Sequence, residues 1–293
     1  MAASCMKRNP TIAATFQGSS VAFPAGHYHS PIPDRADLLR REGPIWAQRP
    51  GLAGVDIQEP QQLALLESLR PHVAAIDYPV EAPAAPDLYY YMNGMFPVLD
   101  AEFLYGALCL FQPKRVVEVG SGFSSLVTAD VNRRVFGGAM EVTCIEPWPR
   151  DFLVAGVPGI TRLVRSRMEE ADPSVFGQLE AGDVLFIDSS HVSKAGSDVN
   201  FLFFEVLPQL KSGVYVHLHD IFLPDEYPRA WVIDEERSWN EQYLLHAFLM
   251  SNHDWRVVWM AHYMLSRHRE AVSAVFPRCP ALGAGGSFWM QRR

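Results

Sequence analysis

Two apolar runs of the sequence end in side chains that can carry out acid–base or metal chemistry. Asp188 and His191 follow the run DVLFI, and His219 and Asp220 follow the run GVYVHL. Carboxylates and imidazoles can move protons near neutral pH, and both can coordinate a divalent metal ion. Which chemistry applies depends on the elements that hold these side chains.

Strand-like and helix-like stretches alternate from residue 114 onwards. The strand-like stretches are RVVEVG, EVTCIEPW, ITRLVR, DVLFID, GVYVHLHD and WRVVWMAH, and the helix-like ones include SSLVTADVNRRVF and SDVNFLFFEVLPQL. Such alternation, with strands that are almost wholly apolar, is typical of a doubly wound α/β fold, in which helices cover both faces of a parallel sheet. Because these sheets bind ligands beyond the carboxyl ends of their strands, the four side chains above are predicted at the binding edge.

The first 97 residues differ from the rest of the chain in composition and pattern. Prolines recur between residues 24 and 86, which limits long regular elements. Leucines at helical spacing predict one helix over residues 60–76 and another over 99–112. We predict an extended and helical wrapping segment over residues 1–97 and an α/β domain over residues 98–293.

The composition argues against several classes of partner. The chain has 293 residues, of which 48% are hydrophobic, and a formal net charge of -8. It shows no basic patch of the kind that binds phosphates, so we expect no nucleic-acid partner. No apolar stretch approaches the roughly 20 residues that cross a bilayer, and the N-terminal MAASCMKRNPTIAATF lacks the apolar core of a signal peptide. We therefore predict a cytoplasmic protein with no membrane partner.

Four cysteines are scattered along the chain without a CxxC pair: Cys5, Cys109, Cys144 and Cys279. This spacing suggests neither a thiolate zinc site nor a disulfide framework. We expect reduced and partly buried thiols.

The first strand-like stretch leads into a glycine loop, VVEVGSGFSS. Gly120 and Gly122 allow a tight turn and a close approach of a ligand to the backbone. A nicotinamide-binding GxGxxG motif would want glycine or alanine at Ser125 and does not need the acid Glu118. A nicotinamide-dependent oxidoreductase therefore stays as an alternative that the motif disfavours.

The segment with Glu118, Gly120 and Gly122 resembles the first motif of the Rossmann-like (class I) S-adenosylmethionine-dependent methyltransferases. Together with HYHSPIPD, FIDSSH, HLHDIFLPDEYP and WNEQYLLHAFL, it resembles a bacterial group of these enzymes, in the same order and over most of the chain. The resemblance implies a mostly parallel, seven-stranded methyltransferase sheet in residues 98–293. It also implies that GSFWMQRR is the final strand, inserted antiparallel to its neighbour.

The resemblance implies S-adenosylmethionine as the cofactor. The predicted cofactor-binding residues are Glu118, Gly120, Ser121, Gly122, Ser124, Glu146 and Asp188. Glu146 would bind both ribose hydroxyls from the end of the second strand, and Glu118 would face the sulfonium and amino group. Ser124 stands where glycine is common in the family, so its hydroxyl is expected to contact the methionine moiety.

The ends of the fourth and fifth strands resemble the catechol O-methyltransferases. Those enzymes have an aspartate after the fourth strand, an Asp-Asn pair after the fifth, and a catalytic lysine three residues after the first aspartate. The resemblance implies a divalent metal (Mg, Mn, Fe or Zn) at Asp188, His219 and Asp220, and imidazole favours the transition metals. His191 has the position of the lysine and is the predicted general base, with His219 as a second candidate. In the metal-free alternative, Asp188 caps a helix and His191 or His219 acts alone.

The predicted function is transfer of a methyl group to a small-molecule acceptor. Acceptor selection is assigned to Tyr28, His29, the stretch YYYMNGMF and the stretch LPDEYPRAW. Sugar and peptide acceptors, and assembly into a homo-oligomer, stay open. Besides the oxidoreductase, the other alternative is a metal-binding relative of the fold with changed chemistry.

Overall fold

The computed structural model describes residues 23–279 and 285–293. Its strands are β1 (Arg115–Val119), β2 (Glu141–Ile145), β3 (Arg162–Val164), β4 (Val184–Ile187), β5 (Tyr215–Leu218), β6 (Trp255–Met260) and β7 (Phe288–Arg292). They form a sheet in the order β3-β2-β1-β4-β5-β7-β6. Strand β7 is antiparallel to both of its neighbours, and the other pairs are parallel. The predicted seven-stranded α/β sheet is confirmed, including its antiparallel final strand.

Helices lie between the strands and before the sheet. The α-helices are α1 (Arg35–Arg40), α2 (Glu42–Ile45), α3 (Glu59–Val73), α4 (Val98–Phe111), α5 (Phe123–Arg134), α6 (Asp151–Ala155), α7 (Ser174–Gly177), α8 (Asp198–Phe201), α9 (Glu241–Leu249), α10 (Ala261–Arg267) and α11 (Arg269–Val275). Shorter helical turns are 3₁₀ (Met168–Glu170, Leu207–Gln209) or π-helical (Leu202–Val206, Ala230–Asp234). The two helices predicted before the sheet are α3 and α4.

Both faces of the central strands are covered. All four side chains of β4 are buried, and the side chains of a strand point alternately to its two faces. Phe103 of α4 stacks on Trp259 of β6, with 4.6 Å between the ring centroids, and thereby joins the helices to the sheet. Burying a phenylalanine of this kind contributes roughly 1.5–3 kcal/mol.

The described part of the N-terminal segment packs into the same core. Leu66 and Leu69 of α3 are fully buried beside α4. Gly106 of α4 permits this contact, because a Cβ at that position would lie 3.3 Å from Leu69 Cδ2. Residues 1–22 lie outside the described part of the chain, and the domain boundary at residue 97 stays a prediction.

The described residues bear on two further expectations. Within residues 23–279 and 285–293, none of the helices combines the length and the apolar character that crossing a bilayer requires. Cys109, Cys144 and Cys279 are buried, whereas Cys5 lies outside the described residues.

The crevice for a ligand lies where β1 and β4 run side by side. From β1 the chain continues to β2 on one side, and from β4 it continues to β5 on the other, which is the arrangement that opens a binding site. Gly120 follows β1 with φ +78, and a Cβ there would lie 1.7 Å from the carbonyl oxygen of Asp188. Only glycine fits that position, so the loop can turn tightly beside the end of β4.

Candidate active site

Glu146 ties the glycine loop to the end of β2. Its Oε2 accepts a hydrogen bond from the backbone N–H of Ser121 at 3.1 Å, and its Oε1 accepts one from the N–H of Trp148 at 2.8 Å. The carboxylate is half-buried and lines the cavities described below. The structure thus fixes Glu146 at the edge predicted for it, with lone pairs left for further donors.

Glu118 is fully buried in β1. Its Oε1 accepts hydrogen bonds from Ser124 Oγ at 2.5 Å and from Ser125 Oγ at 3.0 Å. Burial raises the pKa of this carboxyl to about 8, although the two hydroxyls lower it. Glu118 is therefore mainly neutral at pH 7 and anchors the first turn of α5. The hydroxyl of Ser124 is engaged by this contact, and the cofactor contacts expected of both residues stay predictions.

Two adjoining cavities lie over the carboxyl ends of the parallel strands. The larger, of about 670 Å³, is lined by Gly94, Met95, Phe96, Gly120, Ser121, Gly122, Phe123, Ser124, Glu146, Trp148, Arg150, Asp188, Ser189, Ser190, His191, His219, Asp220, Trp231, Arg237 and Trp239. The smaller, of about 480 Å³, lies over the ends of β2 and β4 and includes Ile145, Met168 and Lys194 in its lining. Gly120, Glu146 and Asp188 line both. The space therefore runs continuously from the end of β2 to the end of β5.

Asp188, His191 and Asp220 converge in the larger cavity. Ligand atoms of the three side chains all lie within 4.8 Å of one another. His191 Nε2 lies 3.3 Å from Asp188 Oδ1 and 3.5 Å from Asp220 Oδ2. His191 and Asp220 have φ of 60 and 57, a left-handed backbone that is uncommon outside glycine. Such strain, of order 1–3 kcal/mol per residue, concentrates at functional sites.

His219 approaches the same cluster from β5 and is buried. Its Nδ1 lies 3.3 Å from Asp220 Oδ1 and 3.8 Å from Asp188 Oδ1, but makes no hydrogen bond with any described residue. Its Nε2 lies 3.1 Å from Oδ2 of Asp100 in α4. Asp100 also accepts hydrogen bonds from the backbone N–H groups of Gly286 and Ser287. This buried carboxylate leaves Nδ1 as the nitrogen of His219 that faces the acids.

His191 has the same kind of support. Its Nδ1 lies 2.9 Å from Oε2 of Glu241, which is 1% exposed at the start of α9. The carbonyl oxygen of His191 accepts hydrogen bonds from the backbone N–H groups of Asn240 and Glu241. Each histidine is therefore oriented by one buried carboxylate, an arrangement common behind metal-binding histidines.

Sequence reasoning missed both supporting acids. Asp100 lies in the apolar stretch LDAEFLYGAL, and a buried acid is costly unless it has a partner. An acid inside such an apolar stretch therefore indicated that Asp100 has a buried partner. The sequence gives no such indication for Glu241, because acids are common in the first turn of a helix.

The acids set the charge of both imidazoles. Burial disfavours the charged form of His191, but the hydrogen bonds to Asp188 and Glu241 outweigh it and raise its pKa to about 10. Burial acts in the same direction on His219, and the charges of Asp220 and Asp188 raise its pKa well above the usual value. With no metal bound, both imidazoles are protonated near neutral pH. Neither can then accept a proton until it loses its own.

His217 in β5 packs inside the core. Its ring stacks on Phe186 with 3.8 Å between centroids, and its Nε2 lies 3.0 Å from Ser287 Oγ. Burial lowers its pKa well below the usual value, so the ring is neutral.

The regions expected to select the acceptor contribute unequally. Met95 and Phe96 of the stretch YYYMNGMF line the larger cavity, and so does Trp231 of the stretch LPDEYPRAW. Tyr89 is instead buried in the core, and Tyr28 is 92% exposed. Only the C-terminal ends of the two predicted stretches therefore contribute to the cavity wall.

Two arginines that sequence reasoning missed also line this cavity. The guanidinium of Arg150 lies 5.0 Å from the centroid of Phe123, and its Nε is 4.0 Å from the place that a Cβ on Gly122 would take. The guanidinium of Arg237 lies over Trp231 and Trp239. The ring of Trp239 is in turn 4.2 Å from that of His191, between centroids.

Comparisons with known proteins point to one enzyme class. Residues 117–221 match a family model described as a methyltransferase domain. An uncharacterized protein from Archaeoglobus fulgidus is 37% identical over 177 residues, which cover 56% of this chain and 80% of that protein. Residues 117–221, which match the family model, hold the glycine loop and the ends of β4 and β5.

Two solved structures are similar at a lower level. A Klebsiella pneumoniae protein solved as a candidate O-methyltransferase is 13% identical with a TM-score of 0.38, covering 88% of this chain and 96% of that one. A SAM dependent methyltransferase from Archaeoglobus fulgidus is 11% identical with a TM-score of 0.34, covering 66% of this chain and 94% of that one. At these low TM-scores neither likeness bears on the activity.

Proposed function

Because this chain belongs to the Rossmann-like (class I) S-adenosylmethionine-dependent methyltransferases, we propose that its acceptor is a small molecule bound beside Asp188, His191 and Asp220. The observation that carries this proposal is the convergence of the three side chains in the cavity that also contains the glycine loop. The family match decides against the nicotinamide-dependent oxidoreductase. A relative with changed chemistry would match the same family model, so turnover has to be measured.

The cofactor site is proposed to run across both cavities. Glu146 would bind the ribose from the end of β2, which leaves the adenine in the smaller cavity and the methionine moiety at the glycine loop. The proposed contacts are those expected from the sequence: Glu118, Gly120, Ser121, Gly122, Ser124, Glu146 and Asp188. Glu118 would act through Ser124 and Ser125, whose hydroxyls donate hydrogen bonds to it, since it is fully buried and Ser124 lines the cavity.

Arg150 is a further proposed cofactor contact. Its side chain makes no hydrogen bond or ion pair with any residue of the described chain, and it lies beside Gly122. The methionine carboxylate of the cofactor needs a positive partner near this loop. An arginine guanidinium binds carboxylates through two parallel hydrogen bonds, which makes Arg150 the fitting partner.

The donor set fits a divalent metal. Asp188, Asp220 and Nε2 of His191 point to one another, and Nδ1 of His219 is a buried nitrogen without a hydrogen bond in the described chain. Its nearest acid is Asp220, with Oδ1 at 3.3 Å, and a metal ion between them would satisfy both groups. Two imidazoles beside two carboxylates favour Fe, Zn or Mn over Mg. When bound, the metal would lower the pKa of an acceptor hydroxyl.

The remaining chemistry is assigned to the side chains. The methyl group moves from the cofactor sulfur to the acceptor oxygen as the O–H bond gives up its proton. Asp188 and Asp220 would hold the acceptor in line, which converts the reaction into an intramolecular one. With a metal held by Asp188, His219 and Asp220, His191 Nε2 would stay free to accept the proton once its imidazole is neutral, while Glu241 keeps the ring in place. A base in this position contributes roughly 10²–10⁴-fold to the rate.

The N-terminal segment is proposed to close the acceptor side. Met95 and Phe96 stand at its end and line the larger cavity. A wrapping segment that ends at residue 97 would therefore supply one wall of the acceptor site. The net charge of -8 supports a small molecule rather than a nucleic acid as acceptor.

The proposed function is tested by production of S-adenosylhomocysteine from a panel of hydroxylated acceptors, with elemental analysis of the purified protein. We expect turnover that a chelator abolishes while binding of S-adenosylhomocysteine persists. The variant His191→Ala should keep the metal if His191 is a base and lose it if His191 is a ligand. A metal-free protein that is indifferent to chelators and to added divalent ions would remove the metal from the proposal.

A further inference from the structure

The larger cavity has a cationic wall next to the acid–histidine cluster. Arg237 lines this cavity together with Trp231 and Trp239. Trp239 touches His191, with 4.2 Å between the ring centroids. A group bound at Arg237 would therefore lie within one small molecule's length of Asp220 and His191.

The guanidinium of Arg237 is held in a fixed orientation. Its central carbon lies 4.1 Å from the ring centroid of Trp231 and 4.5 Å from that of Trp239. Aromatic rings cover the flat faces of a guanidinium, whereas its N–H donors lie in the plane and stay available. The arginine is thus preorganised to donate hydrogen bonds.

Part of this donor capacity is unused. Nε of Arg237 donates a hydrogen bond to Oε2 of Glu235 at 2.8 Å, and Nη2 lies 2.6 Å from the same oxygen as an ion pair. Nη1 makes no hydrogen bond with any residue that the structure describes. The side chain of Glu235 is 43% exposed, so this is a surface ion pair of the weak kind. A second anion can therefore bind Arg237 without a change in the surrounding structure.

Arg237 forms its ion pair with Glu235 and not with the carboxylates of the cluster. Asp220 already lies 3.3 Å from Nδ1 of His219 and 3.5 Å from Nε2 of His191. These two imidazoles are its nearest ring partners, whereas the charge of Arg237 acts on Asp220 without an ion pair. The stacked guanidinium makes no direct contact with these carboxylates, and its place in the cavity wall points to a ligand.

We propose that the acceptor is a small hydroxylated organic acid whose carboxylate binds Arg237. Its hydroxyl would then lie beside Asp188, His191 and Asp220, where methyl transfer takes place. This inference rests on the proposed function, because it assumes that the acceptor occupies the larger cavity. Arginine binds planar carboxylates through paired charge-assisted hydrogen bonds, which a neutral group cannot match.

The test uses two probes of equal size, 3,4-dihydroxybenzoate and 3,4-dihydroxybenzamide. Each is titrated by calorimetry into protein saturated with S-adenosylhomocysteine. Because both probes carry the same two hydroxyls, any coordination to a metal affects both of them alike. We expect the benzoate to bind wild-type protein at least about tenfold more tightly, as charge-assisted hydrogen bonds predict.

Three variants locate the preference. Arg237→Gln should abolish it, and Arg237→Lys should keep part of it because the charge remains. Arg229→Gln is the matched control, since Arg229 also pairs with an exposed glutamate, Glu42 at 2.9 Å, but stands outside the cavity lining. Its preference should equal that of the wild type.

Several outcomes would overturn the inference. They are equal affinities in the wild type, a preference that survives in Arg237→Gln, and no binding of the benzoate at all. Titration with S-adenosylhomocysteine alone distinguishes a failure of this inference from a failure of the proposed function. If it does not bind, the proposed function fails; if it binds normally without a charge preference, only the role of Arg237 fails.

Discussion

His191 Nδ1 lies 2.9 Å from the buried carboxylate of Glu241, and this contact decides which nitrogen faces the cavity. With Nδ1 engaged, Nε2 is left 3.3 Å from Asp188 Oδ1. The ring therefore has one orientation, and its Nε2 can serve a metal or a proton but not both at once.

Glu241→Gln should weaken binding of a transition metal. The substitution keeps the shape of the side chain but removes the charge that supports His191, and losses of about 10–100-fold are typical for such supporting groups. Calorimetric titration with Zn²⁺ and Mn²⁺ measures the change. Glu102→Gln is the matched control, since Glu102 is equally buried but bonds Tyr91 and Arg278 instead. Equal losses in both variants would show a general effect of removing a buried charge.

Glu118→Gln should change how stability depends on pH. The carboxyl of Glu118 has a pKa of about 8 in the fold, against 4.5 for a free glutamate. Between these values the folded protein holds a proton that the unfolded chain has released. The stabilising contribution is complete below pH 4.5 and is lost as the pH rises through 8. The free energy of unfolding therefore falls by up to about 1.4 kcal/mol per pH unit in this window.

Glu118→Gln lacks that titration, and its amide oxygen can still accept from Ser124 and Ser125. Urea unfolding between pH 5 and 8.5, with chelator and without cofactor, measures the difference. We expect the variant to lose less stability than the wild type across the window. Parallel curves would mean that Glu118 is ionised at neutral pH.

Glu146→Ala should weaken binding of S-adenosylhomocysteine by one to two decades. The ribose hydroxyls lose a charged acceptor, and such hydrogen bonds contribute about 1.5–3 kcal/mol. The alanine also removes the hydrogen-bond acceptor of the N–H groups of Ser121 and Trp148, which could disturb the loop. Glu146→Gln keeps one acceptor oxygen and is therefore measured as a second variant. Calorimetry that finds the affinity of both variants unchanged would remove Glu146 from the cofactor site.

Arg150→Gln should remove a preference for the cofactor carboxylate. We expect wild-type protein to bind S-adenosylhomocysteine about tenfold or more tightly than its decarboxylated analogue, and Arg150→Gln to bind the two equally. Competition titrations with both ligands measure this. Arg229→Gln serves again as the control and should retain the preference. A preference that persists in Arg150→Gln would assign the carboxylate to the backbone of the glycine loop.

The sheet and the edge that carries the site could be predicted from the sequence alone. Apolar runs predict buried strands from local composition alone, and ligands gather at the carboxyl ends of parallel strands whatever their side chains. Gly120 could also be recognised locally, because a tight turn beside a neighbouring strand leaves no room for a Cβ. Asp188, His191, His219 and Asp220 were found for the same reason, since each one directly follows a strand or lies within its loop.

How these side chains are supported and charged depends on contacts that form only in the folded protein. Asp100 is 119 residues from His219 and Glu241 is 50 from His191, so no local pattern joins them. The packing of α4 and α9 against the strand ends brings each acid to its histidine. Away from water these carboxylates interact strongly with the imidazoles and overcome the cost of burying a charge. The pKa of His191 near 10 is thus a property of the packed fold, because the burial and the contact with Glu241 exist only there.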